Sequence, residues 1–250
     1  MNPSMQGKIA LVTGGSAGIG LATASAFIHA GATVYITGRR QQDLDAAVAA
    51  LGPQAVGLRA DAAHLDDIRS VFSRIAEDHG RLDVLYVNAG FYEFGRLGEF
   101  TEEHVDRSFD TNVRGLVFTV QGALPLMRDG GSVVLTGSIV ASRGAEAFSI
   151  YAASKAAVRS LARSWAVELK DRGIRVNVVS PGPIDTPGLG GLAGDAASLA
   201  QLKQHLVATV PMARMGQPDE VARAVLFLAS DGAGFITGTE LAVDGGASQA

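Results

Sequence analysis

Short apolar runs alternate along this chain with longer stretches whose apolar residues recur every three or four positions. The short runs are Ile9–Thr13, Thr33–Thr37, Ala55–Leu58, Val84–Val87, Ser132–Thr136, Ile174–Val179 and Glu240–Val243. Most are too uniformly apolar for a strand with one wet face, so they read as strands buried on both sides. Leu65, Ile68, Val71, Phe72 and Ile75 mark one face of a helix over 65–78. The same spacing predicts helices over 18–30, 43–51, about 151–170 and 218–230, with helical segments over about 102–127. Repeated strand–helix alternation implies crossovers, and crossovers make neighbouring strands parallel. The predicted class is α/β: a doubly wound parallel sheet with helices on both faces.

No Pro- or Ser-rich linker interrupts the pattern, so residues 1–250 read as one domain. The loosest stretch, 187–197, is rich in Gly, Ala and Leu, and 187–206 is the expected mobile lid over a substrate. Composition narrows the function classes. Apolar residues make up 47% and charged residues 18%, which suits a packed globular chain. A net charge of −4 without a basic run gives no reason to expect nucleic acid or an anionic membrane. No apolar run approaches the roughly 18 residues of a membrane helix, and Met1–Lys8 lacks a signal-peptide pattern. The absence of cysteine removes disulfides, thiol nucleophiles and thiolate metal sites, and permits a cytoplasmic location. Five scattered histidines (29, 64, 79, 104 and 205) suit surface or helix-end roles, and no metal is expected.

Two stretches carry chemistry. Thr13-Gly-Gly-Ser-Ala-Gly-Ile-Gly20 joins the first strand to the first helix. Glycines at 14, 18 and 20 permit a tight turn and close backbone approach, and the helix N-terminus offers N–H groups to a pyrophosphate. At the end of the second strand, an NAD site usually carries an acid for the ribose hydroxyl. Here Arg39 and Arg40 stand instead, suited to a 2′-phosphate, so NADP(H) is favoured over NAD(H). Asp61, after the third strand, suits an adenine amino group or a helix cap equally. Tyr151 and Lys155 lie four apart in a predicted helix and share a face. A fixed ammonium there is expected to lower the tyrosine pKa toward neutrality and make it an acid/base.

In combination, Thr13-Gly-x-x-x-Gly18-x-Gly20, Asp61, Asn88-Ala-Gly90, Asn112, Ser138, Tyr151-x-x-x-Lys155 and Pro181-Gly-Pro-Ile-Asp-Thr186 resemble the short-chain dehydrogenase/reductase family. The resemblance runs from about Gly7 to Gly246. It implies a Rossmann-type sheet of about seven strands and hydride transfer between NADP(H) and a ketone, aldehyde or secondary alcohol. It assigns catalysis to Asn112, Ser138, Tyr151 and Lys155, with Asn112 holding a water that links Lys155 to solvent. It assigns cofactor contacts to Gly14, Ser16, Gly18, Ile19, Gly20, Arg39, Arg40, Asp61, Ala62, Asn88, Ala89, Gly90, Tyr151, Lys155, Pro181, Gly182, Ile184 and Thr186. Ser142 lies close to Ser138, but the spacing to Tyr151 favours Ser138. Two departures stand out. Ala17 sits where some NADP-using relatives place a cation, and Asp185 is an unexpected acid that either caps the next segment or faces the pocket. Phe91, Tyr92, Phe94, 143–148 and 189–206 are the expected substrate lining, mainly apolar, pointing to a small neutral substrate. The family also implies a homotetramer. The alternatives are an NAD-dependent alcohol dehydrogenase of the same family and a non-catalytic NADP sensor.

Overall fold

The computed structural model describes residues 4–192 and 195–249. Seven strands form one parallel sheet: β1 Ile9–Val12, β2 Thr33–Gly38, β3 Ala55–Arg59, β4 Leu82–Val87, β5 Met127–Thr136, β6 Arg175–Pro181 and β7 Glu240–Val243. Their order is β3-β2-β1-β4-β5-β6-β7, with parallel pairing throughout. The chain winds outward one way from β1, then returns to β4 and winds the other way. The crevice between β1 and β4 is therefore the switch point where such sheets take ligands.

Side-chain alternation along the strands builds two cores. Ile9, Leu11, Leu85, Val87, Val133, Leu135, Val176 and Val178 face one side. There they meet α3 (Leu65–His79), α5 (Leu116–Ala123) and α6 (Ser149–Glu168) through Ile68, Val71, Phe72, Val120, Val158 and Ala162. Ala10, Val12, Val34, Ile36, Val84, Tyr86 and Val134 face the other side. They meet α1 (Gly18–His29), α2 (Gln41–Leu51) and a late helix over Pro218–Ala229 through Phe27, Leu44, Val221 and Val225. Each large apolar side chain removed from water stabilises the fold by about 1.5–3 kcal/mol before entropy is counted.

Two regions depart from the sequence pattern. The helical segment over 102–127 is not continuous. It divides into α4 (Glu102–Phe109), a π-helical turn over Asp110–Gly115 and α5, and the chain has already entered β5 at Met127. A π turn widens the hydrogen-bonded ring by one residue, a change apolar spacing cannot register. The expected lid is also largely helical. A short 3-10 turn covers Pro187–Leu192 and α7 covers Ala196–Ala208; residues 193 and 194 of that stretch lie outside the described residues. The Pro218–Ala229 helix is thus α8, and it starts with a reciprocal Gln217/Glu220 capping box and Pro218 in its first turn. No described helix is long and apolar enough to cross a membrane.

Candidate active site

At the C-terminal ends of β1, β4, β5 and β6 lies one cleft of about 720 Å³. Gly14, Ser16, Gly18, Ile19, Arg39, Arg40, Asp61, Ala62, Asn88, Ala89 and Gly90 line it at one end. Ser138, Tyr151, Lys155, Pro181, Gly182, Ile184 and Thr186 line it further on.

The glycine turn is bound to the end of β4. Asn88 Nδ2 donates to the carbonyls of Thr13 and Gly14, at 3.1 Å each. The N–H groups of Asn88 and Ala89 donate to Thr13 Oγ1, at 3.0 Å each. Backbones then approach so closely that side chains are excluded. A Cβ at Gly20 would stand 2.1 Å from the Gly14 carbonyl oxygen. Gly14 and Gly18 have φ of +64° and +54°, where a Cβ is strained. Ala17, the residue before α1, offers no side-chain cap, so the first N–H groups of the helix face the cleft without one. Such a terminus, bare and positively polarised, fits a phosphate. Thr186 lies 3.4 Å from where a Gly18 Cβ would sit, so the turn after β6 closes onto the glycine turn.

The two arginines behave differently. Arg40 pairs with Asp43 one turn into α2 and its side chain is 80% exposed. Arg39 lines the cleft and forms no ion pair with any described residue. Asp61 Oδ1 accepts from the Ala63 N–H at 3.0 Å and so caps its own turn while still lining the cleft.

Tyr151 and Lys155 share a face of α6, as their spacing requires. Lys155 is only 3% exposed; its Nζ donates to the Thr136 carbonyl at 2.8 Å and lies 5.7 Å from the centre of the Tyr151 ring. The expected lowering of the tyrosine pKa is not what this pocket produces. Burial pushes Tyr151 up to about 12, against a hydrogen bond with Ser138 that pulls it down. Burial pushes Lys155 down to about 8. Both charged forms lose hydration, and that loss outweighs their mutual attraction across this distance. Ser138, not Ser142, faces the cleft; Ser142 Oγ turns to the Ile139 carbonyl at 3.3 Å.

Asn112 lies in the π turn and is buried. Its Oδ1 accepts from Phe91 N–H at 2.7 Å, and its Nδ2 donates to Phe91 O at 2.7 Å and to Ser154 Oγ at 3.0 Å. The carboxamide therefore clamps the end of β4 to α6. Ser154 Oγ passes the chain of bonds to the Tyr151 carbonyl at 2.7 Å. Asp185 is neither cap nor pocket wall: it pairs with Lys203 of α7 at 2.7 Å. Sequence reasoning gave no role to Thr13, Ser154 or the Thr136 carbonyl. The first two are ordinary hydroxyl residues inside recognised motifs, and a carbonyl leaves no trace in side-chain identity. His205 is exposed in the last turn of α7, the surface and helix-end position expected of it, and also lines the cleft. Among the described residues no acid or histidine cluster suits a metal ion.

The sheet order, the glycine turn and the crevice they frame define a Rossmann-type dinucleotide-binding fold. Comparison with known proteins narrows this. A family model described as enoyl-(acyl carrier protein) reductase matches residues 14–248. Oxidoreductase asL5 of Sarocladium schorii is 46% identical over 247 residues, covering 98% of this chain and 97% of that one. A short-chain dehydrogenase/reductase structure from Brucella melitensis superposes with a TM-score of 0.93 at 32% identity and full coverage of both chains. A blue fluorescent protein from a metagenomic library, solved with NADPH, gives 0.90 at 36% identity over 99% of this chain and 100% of that one. The chain belongs to the short-chain dehydrogenase/reductase family, and it is an NAD(P)-dependent oxidoreductase of CH–OH or C=O groups.

Proposed function

We propose that the protein transfers hydride between NADP(H) and a small, mainly apolar ketone, aldehyde or secondary alcohol, with Tyr151 as acid/base. The observation that carries the reading is the convergence of Ser138, Tyr151 and Lys155 on the cleft that begins at the glycine turn. The nicotinamide supplies or accepts the hydride. The α1 N-terminus and Gly14–Gly20 would hold its pyrophosphate, Asp61 and Ala62 its adenine, and Lys155 and the Pro181–Thr186 turn its nicotinamide end. Arg39 would take the 2′-phosphate, since Arg40 is committed to Asp43.

Ser138 Oγ donates to the substrate oxygen and stabilises charge as it develops there. Tyr151 Oη gives that oxygen its proton in reduction and takes it in oxidation. A cationic Lys155 lowers the cost of the phenolate formed at that moment, which burial alone makes expensive. The Asn112 side chain positions α6 and the β4 turn, and a water held at Asn112 would link Lys155 to solvent. We place the enzyme in the cytoplasm and read it as a homotetramer, the assembly being supported by the fully exposed Phe235 ahead of β7 and the largely exposed Val167 of α6.

Tyr151→Phe tests the acid/base role. Turnover of a ketone panel with NADPH should fall at least about a thousandfold, while NADPH titration by fluorescence stays within about twofold. Turnover that survives the substitution moves the acid elsewhere and revives the sensor reading.

A further inference from the structure

Beyond Tyr151, a second phenol faces this cleft, and the chemistry above leaves it unused. Tyr92 follows the β4 turn and lines the cleft. Its ring meets the Tyr151 ring edge-on, with centroids 6.0 Å apart. Its hydroxyl lies beside Gly188, where a Cβ would come within 2.3 Å of it. That glycine leaves the phenol room at the start of the 187–192 turn. The hydroxyl makes no hydrogen bond to any described residue, and burial raises its pKa, so it stays a neutral donor. A half-buried donor that opens on a substrate cleft is poised for a ligand acceptor.

The surroundings restrict what that ligand can be. Rings continue from Tyr92 through Tyr151 to Phe148 and Phe94, with centroids 4.8 Å and 4.9 Å apart along the last two steps. Leu189, Leu202 and Leu206 line the cleft as well. Ring faces and edges beside leucines suit a flat unsaturated ring better than a flexible polar chain. Nearby cations are partly engaged within the protein: Arg96 pairs with Glu146 at 2.9 Å, and Arg143, which lines the cleft, gives one N–H to the Ala247 carbonyl.

We infer that Tyr92 is a specificity-determining residue that donates a hydrogen bond to a second oxygen on an aromatic ketone, while Ser138 and Tyr151 hold the reacting oxygen. The substrate class is thus a hydroxy- or oxo-substituted aromatic carbonyl, or the matching alcohol. This rests on the carbonyl-reductase reading above and deepens it.

The test compares α-tetralone with its ring-hydroxylated isomers, in the wild type and in Tyr92→Phe, which keeps the ring and removes only the donor. The wild type should favour at least one hydroxylated isomer about tenfold in kcat/KM, the worth of one well-placed hydrogen bond. Tyr92→Phe should erase that preference, bringing kcat/KM for the favoured hydroxylated isomer level with that for α-tetralone. Cyclohexanone should be a poorer substrate than α-tetralone for both proteins. Absence of the preference in the wild type, its survival in Tyr92→Phe, or equal loss on every ketone overturns the proposal. So does cyclohexanone matching α-tetralone. The same ligands are also titrated into NADP-loaded protein by calorimetry. If no ketone is reduced, the ketone-reductase reading fails by itself, and the binding preference still decides the role of Tyr92.

Discussion

The two ends of the cleft are built on different principles. At the nucleotide end, backbone presses on backbone: Gly20 against the Gly14 carbonyl, Gly14 against Ala89, and Gly182 against the Asp244 backbone. At the substrate end, side chains press on side chains: Tyr92 and Phe148 on Tyr151, and Phe94 on Phe148. Backbone contacts cannot adjust to a new atom, whereas ring contacts can swing or slide. One end is suited to a ligand that never changes, and the other to one that differs between relatives.

The same substitution placed at each end gives the largest contrast. In Gly20→Ala the new methyl lies 2.1 Å from a carbonyl that cannot move aside. Stability should fall by about 3 kcal/mol or more, which lowers the melting temperature by roughly 10 °C, and cofactor binding should go with it. In Gly188→Ala the nearest atom is the far end of the Tyr92 side chain, and Gly188 is not among the positive-φ glycines. Stability should stay within about 0.5 kcal/mol of the wild type. Thermal unfolding of the two variants side by side checks this; equal losses would erase the distinction between the ends.

Legibility in the sequence follows the same division. Glycines forced by close backbone approach are visible as glycines, so Gly14, Gly18 and Gly20 could be read directly. Strands buried on both faces appear as apolar runs, so the sheet was readable apart from the starts of β4 and β5 and the end of β6. Tyr151 and Lys155 were readable because helix geometry fixes what four residues apart means. The π turn at Asp110–Gly115 was not, because one extra residue in a hydrogen-bonded ring leaves apolar spacing almost unchanged. The Asp185–Lys203 pair was not, because it joins a loop to a helix whose approach only the fold determines. The direction of the Tyr151 shift was not either. Spacing reveals the neighbour but not the burial that outweighs it.

Lys155 joins the two ends, and its burial gives the next largest effect. Its folded value of about 8 lies below the ordinary 10.5. Between those values the unfolded chain holds a proton that the folded protein has released, so stability rises with pH across the window. The rise attributable to Lys155 is at most about 3 kcal/mol. Tyr151 acts in the opposite sense only above about pH 10, where an unfolded phenol ionises before the buried one. Urea unfolding between pH 7.5 and 10 should therefore show a steeper rise in the wild type than in Lys155→Met. Parallel curves would mean that Lys155 is not desolvated, and that the boundary between the two ends is wetter than its 3% exposure indicates.

The smallest effect concerns the two arginines at the nucleotide end. Arg39 and Arg40 are adjacent in sequence, yet only Arg39 lacks an ion pair at the cleft; Arg40 is held by Asp43. A guanidinium free to meet a phosphate gains charge-assisted hydrogen bonds, whereas one already paired must first give up its carboxylate. Arg39→Ala should therefore raise the KM for NADPH about tenfold and leave that for NADH within twofold. Arg40→Ala should change either value less than about twofold, since an exposed i,i+3 pair is worth little. Steady-state kinetics with both cofactors on both variants measures the split. If Arg39→Ala weakens NADH and NADPH equally, the residue serves the fold of the β2 turn and not the 2′-phosphate.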